Sequence, residues 1–141
     1  RREHPTQALL DALKILEKEH GINVELIDLR FINPINYEVL IKSVRKTGRV
    51  VLISDAVERG SALHTVASNL TTLCFDYLDA PPVVIGAKNW ISPAAEMEKE
   101  YYPQANWIID AIHERILPLC DYDSSQNYSR EELTRIASRG V

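Results

Sequence analysis

Four side chains able to carry protons or hold charged groups fall close together: Asp55, Glu58, Arg59 and His64. A histidine titrates near neutral pH, a carboxyl can accept a proton, and a guanidinium binds anions through two parallel hydrogen bonds. They lie in and just after Asp55-Ala-Val-Glu-Arg-Gly-Ser61, between an apolar run and a helical pattern. That is the position at which α/β sheets open a ligand crevice, and Asp28 ends another apolar run in the same way. One reading is therefore a small-molecule or regulatory pocket near Asp28, Asp55 and Gly60. The other is a set of surface contacts with a neighbouring subunit. Further along, Asp79, Glu58 and the acidic stretch 96–100 offer charge to a basic partner, which acts mainly on rate and specificity. Trp90, Tyr101, Tyr102 and Trp107 gather aromatic side chains of the kind that anchor interfaces or pack beneath long loops. His4, His20 and His113 are far apart and have no ligand spacing, so no metal site is expected. Cys74 and Cys120 form no CxxC pair and are read as reduced thiols, Cys74 in a helix core and Cys120 near an edge. That usage suits the cytoplasm, or a mitochondrial matrix in a eukaryote.

These residues need a scaffold, and the hydrophobic pattern supplies one. Leu9, Leu13 and Leu16 recur at helical spacing between Thr6 and His20, and Gly21 stops the run. Asn23–Leu29 alternates polar and apolar as a strand does. Asn33-Pro34 breaks the chain, and Asn36–Thr47 is a second helix closed by Gly48. Arg49–Asp55 is continuously apolar up to its last two residues, the pattern of a strand buried on both faces. Ser61–Leu78 reads as a long helix with Leu63, Val66, Leu70, Leu73 and Tyr77 on one stripe. Pro81 and Pro82 end it, and Pro82–Ile85 is a third strand. Residues 87–103 are irregular. Ala105–Leu117 is a helix with Ile108, Ile109, Ile112 and Ile116 inward, Asp121–Asn127 reads as loose, and Arg130–Ser138 as a short helix.

Strands alternating with helices predict an α/β fold, a three-layer α/β/α sandwich with a mostly parallel sheet. Its 141 residues, 45% hydrophobic and 26% charged with net charge −4, suffice for one core of ordinary size. The expected organisation is one α/β domain over residues 1–119 and a C-terminal tail over 120–141. Three strands are few for so many helices, so at least one further strand is expected upstream of Arg1 or from another chain. Acidic and basic residues are interleaved without a basic stripe, which argues against nucleic-acid binding. The longest apolar runs are far below the roughly 20 residues of a membrane crossing.

Several segments resemble the C-terminal domain shared by transketolases and by β subunits of thiamine-dependent 2-oxo acid dehydrogenases. Glu19–Arg30 is similar to the family's Gly-Ile-x-x-Glu-Val-Ile-Asp-Leu-Arg, and Asn33-Pro-Ile-Asn36 to the break that follows it. Ser43-Val-Arg-Lys-Thr-Gly-Arg-Val-Val51, Phe75-Asp-Tyr-Leu-Asp-Ala-Pro81 and Tyr102-Pro103 have counterparts in the same order and spacing. The turn Asp55–Ser61 departs from the family in carrying only Gly60. His4-Pro-Thr-Gln-Ala-Leu-Leu-Asp11 also matches a phosphate-binding segment of aspartate carbamoyltransferases. That chemistry requires a Ser-Thr-Arg-Thr loop at a helix N-terminus, which is absent, and nothing after Asp11 follows that family.

The first resemblance implies a non-catalytic assembly domain. It would support contacts with an α subunit and a second β subunit, and dock the peripheral binding domain of the acyltransferase core. Asp55, Glu58, Arg59, His64, Asp79, Trp90, Tyr101 and Tyr102 are the implied interface and docking candidates. Thiamine diphosphate and magnesium belong to the intact enzyme, and the resemblance implies that this chain supplies no catalytic, cofactor-binding or metal-binding residue. The C-terminal domain of a transketolase proper is the related alternative.

Overall fold

The computed structural model describes residues 5–140. The segment from His4 that resembles a carbamoyltransferase thus begins outside the described residues. The elements run α1 (Pro5–His20), α2 (Tyr37–Thr47), β1 (Val51–Val57), α3 (Ala62–Cys74), β2 (Val83–Ala87), α4 (Glu98–Tyr101), α5 (Ala105–Arg115) and α6 (Arg130–Ala137). Single 3₁₀ turns occupy Phe75–Tyr77 and Ala95–Met97.

β1 and β2 pair in parallel, with Val51 opposite Val83, Leu52 opposite Val84 and Ile53 opposite Ile85. Successive side chains of a strand point to opposite faces, so this short ladder divides the core in two. Val83, Ile85 and the partly buried Val51 and Ile53 face α1 and α5, where they meet Ala12, Leu16, Ile108, Ile109 and Ile112. Leu52 and Val84 face the other way, towards Leu40 and Val44 of α2 and Val66, Leu70 and Cys74 of α3. The result is the expected three-layer α/β arrangement. Leu16 and Leu70 are fully buried, one in each layer, and each such side chain contributes about 2 kcal/mol of transfer free energy.

Helix limits follow local chemistry. Asn36 caps α2, its side chain accepting from the Val39 N–H at 3.4 Å. Gly48 closes the same helix at φ +69°, with its N–H on Val44 O at 2.7 Å. The left-handed φ strains any other residue there, and a Cβ, standing 2.5 Å from Asp79 Oδ2, would also force that carboxylate to shift.

The structure corrects the sequence reading in several places. Asn23–Leu29 enters no ladder, so the sheet has two strands among the described residues. Ile27 and Leu29 pack on the α2–α3 layer while Val24 and Leu26 face outward. The apolar members of the alternating stretch, Val24 and Leu26, are thus the exposed ones, and a strand needs a partner edge for its backbone groups as well as alternation. The expected stripe on α3 is displaced: Val66, Leu70 and Cys74 are buried, and Leu73 and Tyr77 are exposed. β1 lies further along the chain than Arg49–Asp55, and of its residues only Leu52 is fully buried. Residues 121–127 are held by side-chain hydrogen bonds rather than loose.

Candidate functional site

The loop after β1 is shaped by a slip in the ladder. Between Ile53 and Val57 the first strand spends more residues than the second before pairing resumes at Val57 opposite Ala87. Ser54 Oγ accepts from the Ala56 N–H at 2.9 Å and holds the irregular turn. A bulge of this kind bends a strand and re-aims its side chains. Here it presses the β1 backbone onto β2 at Gly86, where a Cβ would meet Ala56 O at 2.6 Å and Glu58 Cα at 2.7 Å. Asp55 is thereby turned into solvent and Glu58 is drawn inward, with its N–H on Ala87 O at 3.0 Å.

Glu58 is the most perturbed acid of this region. Burial raises its pKa above 4.5; the charges of Arg115, His64 and Lys88 and a backbone hydrogen bond from Gly86 offset part of that. Arg115, at the end of α5, is pushed downward by the same burial and is partly restored by Glu58 and Tyr128. The Tyr128 hydroxyl is driven well above the usual phenol range, first by burial and then by the negative charge of Glu58 and Asp110. Lys88, just after β2, lies 4.3 Å above the Trp107 ring and donates its backbone N–H to Tyr101 O at 2.9 Å. The strand end thus gathers Glu58, Arg115, Lys88, Tyr128 and His64 into one electrostatic neighbourhood supplied by four different elements and the tail.

Beside it lies a second polar centre. Asp110 is completely buried in α5 among Trp107, Ile108, Ile109, Ala111 and Ile112. Its Oδ1 accepts from Tyr122 Oη at 2.6 Å, and its Oδ2 from Ser125 Oγ at 2.7 Å and the Gln126 N–H at 2.9 Å. Burial, followed by this hydrogen bond and the charge of Asp110, raises the Tyr122 pKa. Glu114, one turn further along α5, accepts from the Tyr128 N–H at 2.9 Å. The sequence reading did not single out Asp110. An aspartate interrupting the most apolar face of a helix was the available clue, because a buried carboxyl demands several donors.

The candidates named from sequence separate into three groups. Glu58, Arg59 and His64 lie together at the strand end, with His64 exposed in the first turn of α3. Arg59 donates to Gly140 O at 2.6 Å and to Ile136 O at 2.7 Å. Asp55 is exposed nearby, whereas Asp79 lies behind α2, donating its N–H to Gly48 O at 2.8 Å. Among the aromatics, Tyr101 is buried and meets Tyr102 edge to face at 4.8 Å, while Trp90 is about half exposed. Apolar residues that were not singled out stand further into solvent: Ile91 is 95% exposed, Phe31 74%, Phe75 73% and Ile32 69%.

Two of the open grooves on the described surface lie away from the strand end. One is lined by Asp11, Lys14, Ile15, Lys18 and Glu19 of α1. The other lies between the end of α1 and residues 117–121, beside the exposed Cys120. Neither includes the strand-end residues. No three His, Cys, Asp or Glu side chains converge at metal-binding range among the described residues, and no described helix is long and apolar enough to cross a membrane.

Comparison with known proteins agrees with this architecture. The chain is 40% identical over 93 residues to the pyruvate dehydrogenase E1 component subunit beta of Rhizobium meliloti, which covers 65% of this chain and 20% of that protein. It is 36% identical over 110 residues to the mitochondrial pyruvate dehydrogenase E1 component subunit beta of Saccharomyces cerevisiae, covering 77% and 30%. It is 40% identical over 75 residues to the mitochondrial 2-oxoisovalerate dehydrogenase subunit beta of Dictyostelium discoideum, covering 53% and 20%. The chain therefore spans a third or less of each of these relatives. The family described as "Transketolase, C-terminal domain" matches residues 5–108, and the chain belongs to that family.

Proposed function

We propose that the chain is the C-terminal assembly domain of a β subunit in a thiamine-dependent 2-oxo acid dehydrogenase. The parent reaction is oxidative decarboxylation of a 2-oxo acid with acyl transfer to a lipoyl group. In this reading residues 1–119 are the α/β domain and 120–141 a tail strapped to it. The partners are an α subunit, a second β subunit and the peripheral binding domain of the acyltransferase. The compartment is the cytoplasm, or the mitochondrial matrix in a eukaryote.

One observation carries the reading: Phe31, Ile32, Phe75, Leu73, Tyr77 and Val39 are all exposed on the layer of α2, α3 and the segment leading to α2. Large apolar side chains concentrated on one side of a soluble domain mark a surface that another protein covers. Trp90, Ile91 and Met97 extend the apolar exposure into the loop after β2. There they adjoin Glu96, Glu98 and Glu100, a combination suited to a basic partner with an apolar core. Asp55, His64 and Asp79 are rim contacts in this scheme.

Thiamine diphosphate is held through magnesium, which takes oxygen ligands in near-octahedral geometry. In this reading thiamine diphosphate and magnesium belong to the intact enzyme, and no catalytic step is assigned to the described residues.

The test is co-expression of the full-length protein with a candidate α subunit, scored by stoichiometry and by 2-oxo acid decarboxylation with thiamine diphosphate, magnesium and an artificial electron acceptor. Phe31→Ser and Phe75→Ser together are expected to weaken assembly and lower activity in proportion. Unchanged stoichiometry in that variant sinks the proposal. Tight binding of a small molecule at the strand end would favour the ligand-module reading.

A further inference from the structure

His113, half-buried near the C-terminal end of α5, is a hydrogen-bond acceptor. The Leu119 N–H donates to its Nδ1 at 2.8 Å. The opposite ring orientation would set Cδ2–H against that N–H, so the donor fixes which ring atom faces it. A ring that accepts at Nδ1 carries its one proton on Nε2 and is neutral. The bond closes a short loop. Ile116 and Leu117 both donate their N–H to Ile112 O, Pro118 has no N–H to give, and Leu119 returns to the α1–α5 core, 7% exposed. Beyond it Asp121 takes φ +53°, a left-handed conformation uncommon for a residue with a side chain. Residues 117–121 form one wall of the groove whose other wall is the end of α1.

We propose that His113 is a proton-operated clasp for residues 117–121, closed while its imidazole is neutral and open once Nδ1 takes a proton from solvent. Protonation turns the acceptor into a second N–H, which then points at the N–H of Leu119. Two donors cannot share that contact, so the loop gives way. Histidine is the side chain whose ordinary titration falls between pH 5 and 8. The titratable groups around the ring come from three segments. The Tyr122 phenol ring of the tail lies 5.3 Å from His113 and, on another side, 5.9 Å from His20 at the end of α1. On α5 itself Asp110 lies one turn earlier and Glu114 and Arg115 follow. Cys120 and Asp121 follow Leu119, and Glu19 lines the opposite wall of the groove. Asp110 is engaged by Tyr122, Ser125 and Gln126, and Glu114 by the Tyr128 N–H. Those bonds need ionised carboxylates and no imidazole, so residues 122–128 stay pinned while 117–121 moves away from α1 and widens the groove. This device does not rest on the assembly role.

The experiment is hydrogen exchange by mass spectrometry on the full-length protein at about pH 8 and about pH 5.5, which bracket an ordinary histidine. Rates are corrected for the intrinsic effect of pH on amide exchange. Exchange of the imidazole Cε1–H in the same samples gives the titrations of His113 and His20 separately. Protection of residues 117–121 is expected to fall roughly tenfold from the higher pH to the lower, in step with His113, while 108–112 and 122–128 keep theirs. His113→Asn, which keeps an acceptor near the place of Nδ1 and cannot titrate, should make that protection independent of pH. His113→Phe, which removes the acceptor, should leave it low at both. His20→Gln should keep the parent's pH dependence. Four results overturn the proposal: protection at 117–121 that stays constant as His113 titrates, a pH dependence that survives in His113→Asn, one that His20→Gln abolishes, or an equal loss across 108–112 and 122–128. The last would describe general loosening in acid and no clasp. His113→Asn carries the test even where His113→Phe fails to fold.

Discussion

The two faces of the sheet are finished in opposite ways. On the α1–α5 side the chain closes its own surface: residues 119–128 wrap back, Leu119, Tyr122 and Tyr128 pack on the core, and Asp110 takes three donors. On the α2–α3 side the covering layer stays apolar on its outside, with Phe31, Ile32, Leu73, Phe75 and Tyr77 in solvent. The contrast lies in what the following segment supplies. Where a polar tail brings hydroxyls and N–H groups to a buried carboxyl, the surface is complete within one chain. Where an extended segment brings Phe31 and Ile32, the apolar face is left open, and this is the face that the proposed assembly would cover. In the closed half specificity comes from hydrogen-bond geometry, and in the open half from apolar area.

The closed face breaks most severely at Asp110. Asp110→Ala leaves Tyr122 Oη, Ser125 Oγ and the Gln126 N–H without their acceptor, at an expected cost of about 3 kcal/mol. Urea denaturation measures it, and a loss below about 1 kcal/mol would mean that the tail is held by packing alone. Between the faces, Gly86→Ala forces a Cβ into the β1 backbone and is expected to cost about 2 kcal/mol, read as a fall in Tm. On the open side, Asn36→Ala removes the cap of α2 and should cost about 1 kcal/mol in the same denaturation measurement.

A pH series sharpens the comparison at the strand end. The Glu58 carboxyl is held above 4.5 in the fold, so the folded state binds that proton more tightly than the unfolded chain. Its favourable contribution is fully present below about 4.5 and is lost as pH rises through the raised value. Glu58→Gln is therefore expected to be more stable than the parent at neutral pH, with the difference closing towards pH 4. A stability difference that is constant with pH would refute the assignment. The smallest stability effect belongs to the open face: Phe31→Ser should change stability by no more than about 0.5 kcal/mol while still weakening assembly. A large stability loss there would make Phe31 part of the monomer's own core.

Much of the scaffold was legible from spacing. Leu9, Leu13 and Leu16 announce α1, Asn36 and Gly48 bracket α2, and the prolines at 81 and 82 separate α3 from β2. These are local signals, carried by side-chain periodicity and backbone conformation within a few residues. The loop with Glu58, Arg59 and His64 was legible for the same reason, as polar residues following an apolar strand.

What the sequence by itself determined is the succession α1, α2, β1, α3, β2, α5 and α6, the apolar sides of α1 and α5, and the family resemblance. Only the tertiary structure decided that Asn23–Leu29 stays out of the ladder, that Leu73 and Tyr77 face solvent, and that Asp110 organises residues 122–126. It also decided that Arg59 reaches Gly140, far away in the chain. Each of these depends on which segment arrives beside another: an edge to pair with, a layer to lie under, three donors for one carboxyl. Periodicity records that a residue prefers burial or solvent, and the partner that satisfies it comes from distant parts of the chain.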